Sequence, residues 1–376
     1  MKKIPMLDLA KQQASLSPDL ERCVQEVMLS TRYLPDKWPS AFESQLAAYC
    51  QRPFVVGVGS GSAALQLALL AAKVGPGDEV VTVPNSFFAT TEAILVVGAR
   101  PVFVDVDPAT HLMDIARLEA VVGPRTKAVL PVHLFGNVVD VGAIESCLAR
   151  CGRSDVIVIE DCAHAAGAAL GQRPVPIGRI GAFSFNPGKN IGALGDAGAI
   201  VTSDEGLARQ ALLLRDHGRA SKNEHSCAGF NSRLRCIDDA VLGLKLRHLD
   251  AWNEQRRQHA AVYDRAFAGT SVRPIQSAPN VRNAMHQYVI RTPAREAVKA
   301  ALSAAHIDSA VHYPRLIVDQ PPLSFLDEQA RALPVARELG SQMLSLPCFP
   351  ELAEDDVHRI IDVVLSSASA AGQSSR

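Results

Sequence analysis

The sequence predicts an α/β protein: a large domain built on a mostly parallel sheet, followed by a smaller C-terminal α/β domain. Between about residues 54 and 203, short β-rich runs alternate with longer helical stretches, which is typical of a parallel sheet covered by helices. The β runs are nearly continuous in Val and Ile, as in strands buried on both faces. We therefore place the large domain at residues 1–245 and the small domain at 246–376, with the N-terminal segment as a candidate to pack on the small domain.

Local composition justifies each element in turn. The predicted strands are Phe54–Val58, Glu79–Val83, Pro101–Asp105, Val129–Val132 and Val156–Glu160, then the apolar runs Ile180–Phe185 and Ala197–Val201, and finally the β runs His286–Arg291 and Ser309–His312. The segment Ala89–Val97 lies between the second and third strands. The predicted helices are Ala63–Lys73, Val141–Arg150, Asp204–Arg215, Ile237–Phe267, Arg295–Ala305, Arg331–Gln342 and Glu354–Ser366. Because Ile237–Phe267 is long, we expect one helix there that bridges two domains or lines a dimer interface.

The amino-acid composition of the chain argues against several classes of protein. The 376 residues include 38 Lys+Arg against 39 Asp+Glu, so we expect no nucleic-acid partner, and 48% are hydrophobic, which argues against disorder. The longest apolar runs are too short for a membrane span, and no secretory signal is recognised at the start, so we expect a cytoplasmic protein without membrane contact. The 8 cysteines are scattered and predict free thiols. Cys147 and Cys151 lack the partners that zinc needs, so no metal site is predicted.

The segment Gly181–Asn190 holds a lysine in a Gly/Pro-rich turn between two apolar runs. A Walker A phosphate loop would need Gly where Phe183 stands and Ser or Thr where Asn190 stands, so that reading fails. Lys189 is instead placed inside a fold, where burial lowers the pKa of a lysine and favours Schiff-base chemistry. A solvated loop lysine is the alternative on spacing alone.

A second segment, Val156–Ala165, places an acidic pair and His164 after a buried strand. Open α/β sheets put ligand-binding groups at this end of a strand, where Asp161 could hold a pyridinium proton. The alternatives are that Asp161 caps the next helix and that His164 is a core histidine. A third segment, Gly57–Leu65, joins a strand to a helix whose first N–H groups favour a phosphate, although a lone Gly-rich turn is weak evidence.

Together these segments resemble the DegT/DnrJ/EryC1/StrS aminotransferases. The motifs that carry the resemblance stand in the family's order and are Ser60–Leu65, Asn85–Thr90, Val132–Gly136, Glu160–Ala168, Phe183–Asn190, Gly229–Arg233 and His312–Pro314. The resemblance runs from about Leu7 to Val363. It implies a pyridoxal 5′-phosphate (PLP) enzyme of the PLP-dependent transferase fold type I, which is aspartate aminotransferase-like with a mixed, mostly parallel sheet.

The resemblance also implies a role for each matched residue. Lys189 would carry the cofactor as an internal aldimine, Asp161 would pair with the pyridine nitrogen, and His164 would contact the ring or its 3-hydroxyl. Phe87 would stack on the ring. The cofactor phosphate would be bound by three small residues, Gly61, Ser62 and Ser184.

Subunit partner and substrate are implied in the same way. A matching Asn in the family reaches the phosphate from the neighbouring subunit, and Asn231 holds that place, so we expect a homodimer with shared active sites. His312, Tyr313 and Arg315 are candidates to line the sugar or pyrophosphate pocket, with a mainly structural His-Tyr-Pro turn as the alternative.

The implied function is amino-sugar biosynthesis. An amino acid, with glutamate as the expected donor, converts PLP to pyridoxamine phosphate (PMP), which aminates a keto-sugar on a nucleoside diphosphate. An aminocyclitol ketone is an alternative substrate, and a different PLP reaction class or a noncatalytic regulator are alternative functions. Relatives that dehydrate sugars have histidine at the position of Lys189, so a dehydratase is disfavoured, and the retained Lys189 and Asp161 argue against a regulator.

Overall fold

A computed structural model describes residues 2–35 and 37–374 of the chain. Its strands are β1 (Phe54–Val58), β2 (Glu79–Thr82), β3 (Arg100–Phe103), β4 (Thr126–Val129), β5 (Ile157–Asp161), β6 (Ala169–Leu170), β7 (Arg173–Pro174), β8 (Ile180–Ser184), β9 (Gly198–Thr202), β10 (Arg219–Ser221), β11 (Glu224–His225), β12 (Arg273–Pro274), β13 (Val281–Arg282), β14 (Tyr288–Arg291) and β15 (Met343–Leu346). Seven of these described strands form the central sheet, in the order β1-β9-β8-β5-β4-β2-β3.

Strand direction in the central sheet is mixed. The strand β9 is antiparallel to both of its neighbours, β1 and β8, and the remaining pairs are parallel. The predicted mixed, mostly parallel sheet is therefore confirmed. Since β1, β2, β5 and β8 run the same way, the segments that follow them meet at one edge of the sheet.

Helices cover this sheet and build the rest of the chain. They are α1 (Leu9–Leu16), α2 (Asp19–Ser30), α3 (Ala41–Tyr49), α4 (Gly61–Ala71), α5 (Ala89–Val96), α6 (Val141–Arg150), α7 (Glu205–Arg215), α8 (Cys236–Leu246), α9 (Leu249–Phe267), α10 (Arg295–Ala304), α11 (Pro334–Gln342) and α12 (Glu354–Ser374). Helix α4 is rich in Ala and Leu, which favours helix, and begins where the Ser60 hydroxyl accepts the Ala63 N–H. No helix in the described ranges is long and apolar enough to span a membrane.

The C-terminal part has its own small sheet, β12-β14-β15, which is antiparallel. Helices α9, α10 and α12 share an apolar core with it that includes Tyr263, Val298 and Ile360. The N-terminal segment lies on this part, since Ile4 pairs with Ile307 and the Lys11 ammonium donates to the Glu351 carbonyl oxygen. The division between residues 245 and 246 stays a prediction.

Several predicted elements are wrong in extent. The stretch Ile237–Phe267 is two helices, because the N–H groups of Arg247 and His248 bond three residues back and end α8. Helix α8 packs on α2 and α3, whereas α9 packs on α12, so the chain has to turn between them. Ser309–His312 makes only an isolated bridge, Ala310 to Ser345, and α12 continues beyond the predicted end at Ser366 to Ser374.

Candidate active site

A cavity of about 530 Å³ opens at the edge of the sheet where β1, β2, β5 and β8 end. Segments from the central sheet and from the C-terminal part both contribute to its wall. Nine of the predicted site residues line it: Gly61, Ser62, Phe87, Asp161, His164, Ser184, Lys189, His312 and Tyr313. The fold therefore gathers residues that the sequence scatters over about two thirds of the chain.

Lys189 lies in the loop that connects β8 to β9, and its backbone N–H donates to the Asn186 carbonyl oxygen at 2.8 Å. Within the part of the chain that the structure describes, the Lys189 Nζ has no hydrogen-bond or ion-pair partner. Burial lowers the pKa of Lys189 to about 8, and the nearby Asp161 carboxylate opposes that shift. A lysine with this pKa is partly an amine near neutral pH, which is the nucleophilic form.

Asp161 ends β5 and is only 3% exposed. Its Oδ2 accepts the Thr90 hydroxyl at 2.8 Å, and its Oδ1 accepts the Ala163 N–H at 3.1 Å. Because Thr90 uses its proton on Asp161, the Ser86 hydroxyl must donate to Thr90, at 2.8 Å. Burial raises the pKa of Asp161, while these hydrogen bonds and Lys189 lower it, and a bound cation would further favour the charged carboxylate.

His164 is buried beside Lys189 with a defined tautomer. Its Nδ1 accepts the Phe135 backbone N–H at 3.3 Å, and because that backbone group can only donate, the imidazole proton sits on Nε2. Burial, followed by the charges of Lys189 and His312, lowers the pKa of His164 well below its ordinary value. His164 is therefore a neutral hydrogen-bond donor in the cavity wall.

The start of α4 forms an anion cradle at the same edge. The N–H groups in the first turn of a helix have no acceptor inside the helix, and the helix dipole adds positive potential there. A Cβ on Gly61 would lie 2.5 Å from the Ser184 Cβ, so only glycine lets Ser184 lie against the helix start. The hydroxyls of Ser62 and Ser184 add further donors to this place.

Aromatic and histidine side chains complete the wall. The rings of Phe87 and Tyr313 lie 5.6 Å apart, and Phe87 is 56% exposed, which leaves one face for a ligand. His312 takes part in a hydrogen-bonded ring: its Nε2 contacts the Gln287 amide nitrogen at 3.2 Å and its Nδ1 contacts the Ser345 hydroxyl at 2.8 Å. The Ser345 hydroxyl donates in turn to the Gln287 amide oxygen at 3.2 Å. Both ring nitrogens of His312 are therefore engaged in hydrogen bonds within the protein.

Two predicted site residues lie outside this wall. Asn231 is exposed, forms a backbone bridge with Asp216, and accepts from the Arg233 guanidinium at 3.3 Å. Arg315 is also exposed. Neither Asn231 nor Arg315 therefore lines the cavity of its own chain.

Behind Asp161, the side chains of His133, Glu160 and Cys162 bring their possible ligand atoms within 4.8 Å of one another. The His133 Nε2 donates to the Glu160 carboxylate at 2.8 Å, since its Nδ1 accepts the Val139 N–H. Glu160 also accepts the N–H groups of Ile177 and Gly178. These hydrogen bonds occupy the imidazole of His133 and the carboxylate of Glu160. The backbone N–H of His133 also donates to the Asp161 carbonyl oxygen at 3.0 Å. The cluster therefore stabilises the end of β5 next to Asp161.

The sequence model of the DegT/DnrJ/EryC1/StrS aminotransferase family matches residues 15–365. The chain belongs to this family. It is a PLP-dependent aminotransferase, as the resemblance of its motifs implied.

Several known proteins are similar to this chain over nearly its full length. A pleiotropic regulatory protein of Geobacillus stearothermophilus is 41% identical over 96% of this chain and 97% of that protein. The UDP-N-acetyl-3-dehydro-α-D-glucosamine 3-aminotransferase of Acidithiobacillus ferrooxidans is 40% identical, with 96% and 97% covered. The solved structure of S. venezuelae DesV in complex with a ketimine intermediate has a TM-score of 0.94 and 37% identity, with 98% of this chain and 99% of that chain covered. Similar structures also include PMP-bound and PLP-bound forms.

The cavity of this DegT/DnrJ/EryC1/StrS aminotransferase fits PLP. Lys189 offers an amine without a hydrogen-bond partner among the described residues, and Asp161 offers a buried carboxylate that a ring cation would stabilise. The helix start beside Gly61 offers N–H donors for a phosphate, and the absence of a Cβ on Gly61 lets the Ser184 hydroxyl lie beside them. An amine, an anion site and a carboxylate are the groups that a phosphorylated pyridine aldehyde requires.

Sequence reasoning missed some cavity residues of this family member. Thr90 and Ser86 stand inside a motif that carried the resemblance, but only the structure shows their contact with Asp161. His286 and Gln287 line the cavity from the C-terminal part. No sequence motif or spacing connects them with Lys189, so only the folded structure shows that they line the same cavity.

Proposed function

We propose that this aminotransferase moves an amino group from an amino acid, with glutamate as the donor, to a keto-sugar carried on a nucleoside diphosphate. The observation that carries the proposal is the Lys189 amine, free of protein partners, in one cavity with the buried Asp161 carboxylate and the start of α4. Relatives named for UDP- and dTDP-linked amino-sugar transamination support the substrate class. A purely regulatory protein would have no use for this amine.

Each candidate residue has a defined task in this proposal. Bound PLP supplies an electron sink that makes the α-proton of an amino acid acidic. Lys189 Nζ takes that proton and returns one, which its lowered pKa makes possible near neutral pH. Asp161, held by Thr90, fixes a proton on the ring nitrogen, and His164 donates from Nε2. The start of α4, with Ser62 and Ser184, binds the phosphate.

We further propose that the protein works as a homodimer in the cytoplasm. The exposed position of Asn231 supports a contact with the neighbouring subunit's phosphate site, because this side chain lies outside its own cavity wall. None of the eight cysteines forms a disulfide, which is usual for proteins of reducing compartments.

The proposed function can be tested with the visible absorption spectrum of the PLP-loaded protein. Glutamate should bleach the absorption band of the lysine-bound cofactor, and one member of a panel of UDP- and dTDP-linked 3-keto-sugars should restore it. An aminocyclitol ketone in the same panel tests the alternative substrate. Bleaching that no keto-sugar nucleotide reverses would reject the proposed acceptor class while leaving the aminotransferase intact.

A further inference from the structure

His286 has an unassigned place in the cavity wall. It follows α9 in the C-terminal part of the chain, yet its ring lies 4.3 Å from the ring of His164. Its Nδ1 contacts the Asn190 amide oxygen at 2.8 Å, and Asn190 directly follows Lys189. The histidine is therefore tied to the catalytic loop by a buried side chain.

The bonds of Asn190 define the tautomer of His286. The Asn190 amide nitrogen contacts the Ala284 backbone carbonyl oxygen at 2.8 Å, which can only accept, so the amide oxygen must face His286. The amide nitrogen also donates to the Asn253 side-chain oxygen at 2.7 Å, which holds the amide in place. His286 must then donate from Nδ1, and its Nε2 carries a lone pair.

That lone pair is directed to the cavity. Asn190 lies outside the wall, so Nδ1 points away from the cavity and Nε2 is the nitrogen left for a ligand. Within the described residues, the His286 Nε2 has no hydrogen-bond partner. Burial first, then His164 and Lys189, lowers the pKa of His286 well below its ordinary value, so the acceptor persists at neutral pH.

The two other histidines of the cavity cannot supply this acceptor. His164 presents a proton on Nε2, and both nitrogens of His312 are bound to Gln287 and Ser345. His286 is thus the histidine in the described cavity wall that offers a free acceptor. A free acceptor requires a ligand that donates.

The two substrates differ in what they offer to such an acceptor. The hydrogen-bond donor of glutamate is the amino group that it transfers to the cofactor, and its carboxylates only accept hydrogen bonds, so no group of the amino acid is left to gain from the Nε2 lone pair. A sugar hydroxyl donates and fits it. We propose that His286 Nε2 accepts a hydrogen bond from a hydroxyl group of the sugar substrate and so selects the acceptor of the amino group. The inference rests on the sugar-nucleotide function proposed above.

The test compares His286→Phe, which keeps a ring without an acceptor, with His286→Gln, which restores one. His248→Phe is the matched control, because His248 is an imidazole stacked at 5.5 Å on Trp252 outside the cavity wall. The probes are glutamate, PLP, the keto-sugar nucleotide that reoxidises the wild-type enzyme, and its amino-sugar product. Binding of PLP and of the product is measured by calorimetry, and each half-reaction is measured in single turnovers.

In His286→Phe, we expect the dissociation constant of the product and the KM of the keto-sugar to rise about tenfold, as for the loss of one hydrogen bond between neutral groups. The glutamate half-reaction and the PLP affinity should stay within about twofold. His286→Gln should recover most of the sugar affinity, and His248→Phe should match wild type. Products lacking one hydroxyl at a time should show one position whose loss weakens wild type but not His286→Phe.

Unchanged sugar binding in His286→Phe would overturn the inference, as would an equal loss in both half-reactions or a loss of PLP affinity, which would indicate a structural or cofactor-binding role. Failure of both His286 variants to separate the half-reactions would also count against it. If the wild-type enzyme accepts no keto-sugar nucleotide, the proposed function fails, and that result is distinct because it appears without any substitution.

Discussion

At Lys189, burial and charge act in opposite directions. Removal from water disfavours the ammonium, whereas the neighbouring Asp161 carboxylate favours it, and the balance leaves a pKa of about 8. A deeper site would make the amine a poor proton acceptor, and a fully solvated one would keep it protonated. The local environment therefore sets the working range of this residue.

Replacing Lys189 with alanine should abolish turnover, because no other amine lines the described cavity wall. The Lys189→Ala protein should still bind PLP noncovalently through the α4 start and Asp161. Equilibrium dialysis would measure the retained cofactor, and steady-state amination would measure the lost activity. Amination at the wild-type rate would contradict the assignment.

The lowered pKa predicts how Lys189 responds to pH in the cofactor-free protein. Only the amine reacts with acetic anhydride, so the labelling rate should rise through a midpoint near pH 8, well below the ordinary value for lysine of about 10.4. Mass spectrometry of the labelled peptide measures it. Asp161→Asn should move the midpoint lower, since it removes the charge that favours the ammonium. A midpoint above 10 would show that the site is not desolvated.

At the scale of elements, the junction of α4 with β8 has no room for a side chain on Gly61. Gly61→Ala would place a Cβ against Ser184 and push apart the two segments that we propose to bind the phosphate, at a cost of about 1–3 kcal/mol. We expect weaker PLP binding, measured by calorimetry. Gly59→Ala is the control in the same turn, because its Cβ would meet the Ser232 hydroxyl at an ordinary 3.4 Å. Equal losses in both variants would mean that the turn responds to any side chain.

The predictability of the elements follows from the range of the forces that form them. Strands such as β1 and β5 were predicted nearly to the residue, because their continuous Val and Ile content is local information. The break between α8 and α9 was missed because neither Gly nor Pro marks it. It arises from packing against different partners, which no local pattern records.

At the scale of the whole molecule, the residues of the candidate site also differ in whether the sequence alone could predict that they meet. Lys189, Asp161 and Ser184 follow parallel strands, so their meeting at one edge could be expected from the strand pattern alone. His286 and Gln287 come from the C-terminal part, and their approach depends on how that part packs. Asn231 could be assigned only by resemblance, since it lies outside the wall of its own cavity.

The shared-site model predicts where the defect of Asn231→Ala appears. In mixed dimers of Asn231→Ala and Lys189→Ala subunits, one site would combine the intact lysine of one subunit with the normal asparagine of the other. The other site would lack the lysine. We expect wild-type PLP retention at the site with the intact lysine, although its own chain carries Asn231→Ala, and absorbance during gel filtration can follow this retention with differently tagged subunits. A defect confined to the mutated subunit's own site would reject the model.

The antiparallel strand β9 determines when the cofactor site can form during protein synthesis. Strand β1 pairs only with β9 in the described sheet, from Phe54 opposite Thr202 to Val58 opposite Gly198. A nascent chain therefore carries Asp161 and Lys189 outside the ribosome before β1 has any edge to join. The α4 start follows β1 directly, so it cannot take its position beside Ser184 until residue 202 has emerged. Capture of the cofactor should consequently not begin before more than half of the 376 residues have been synthesised.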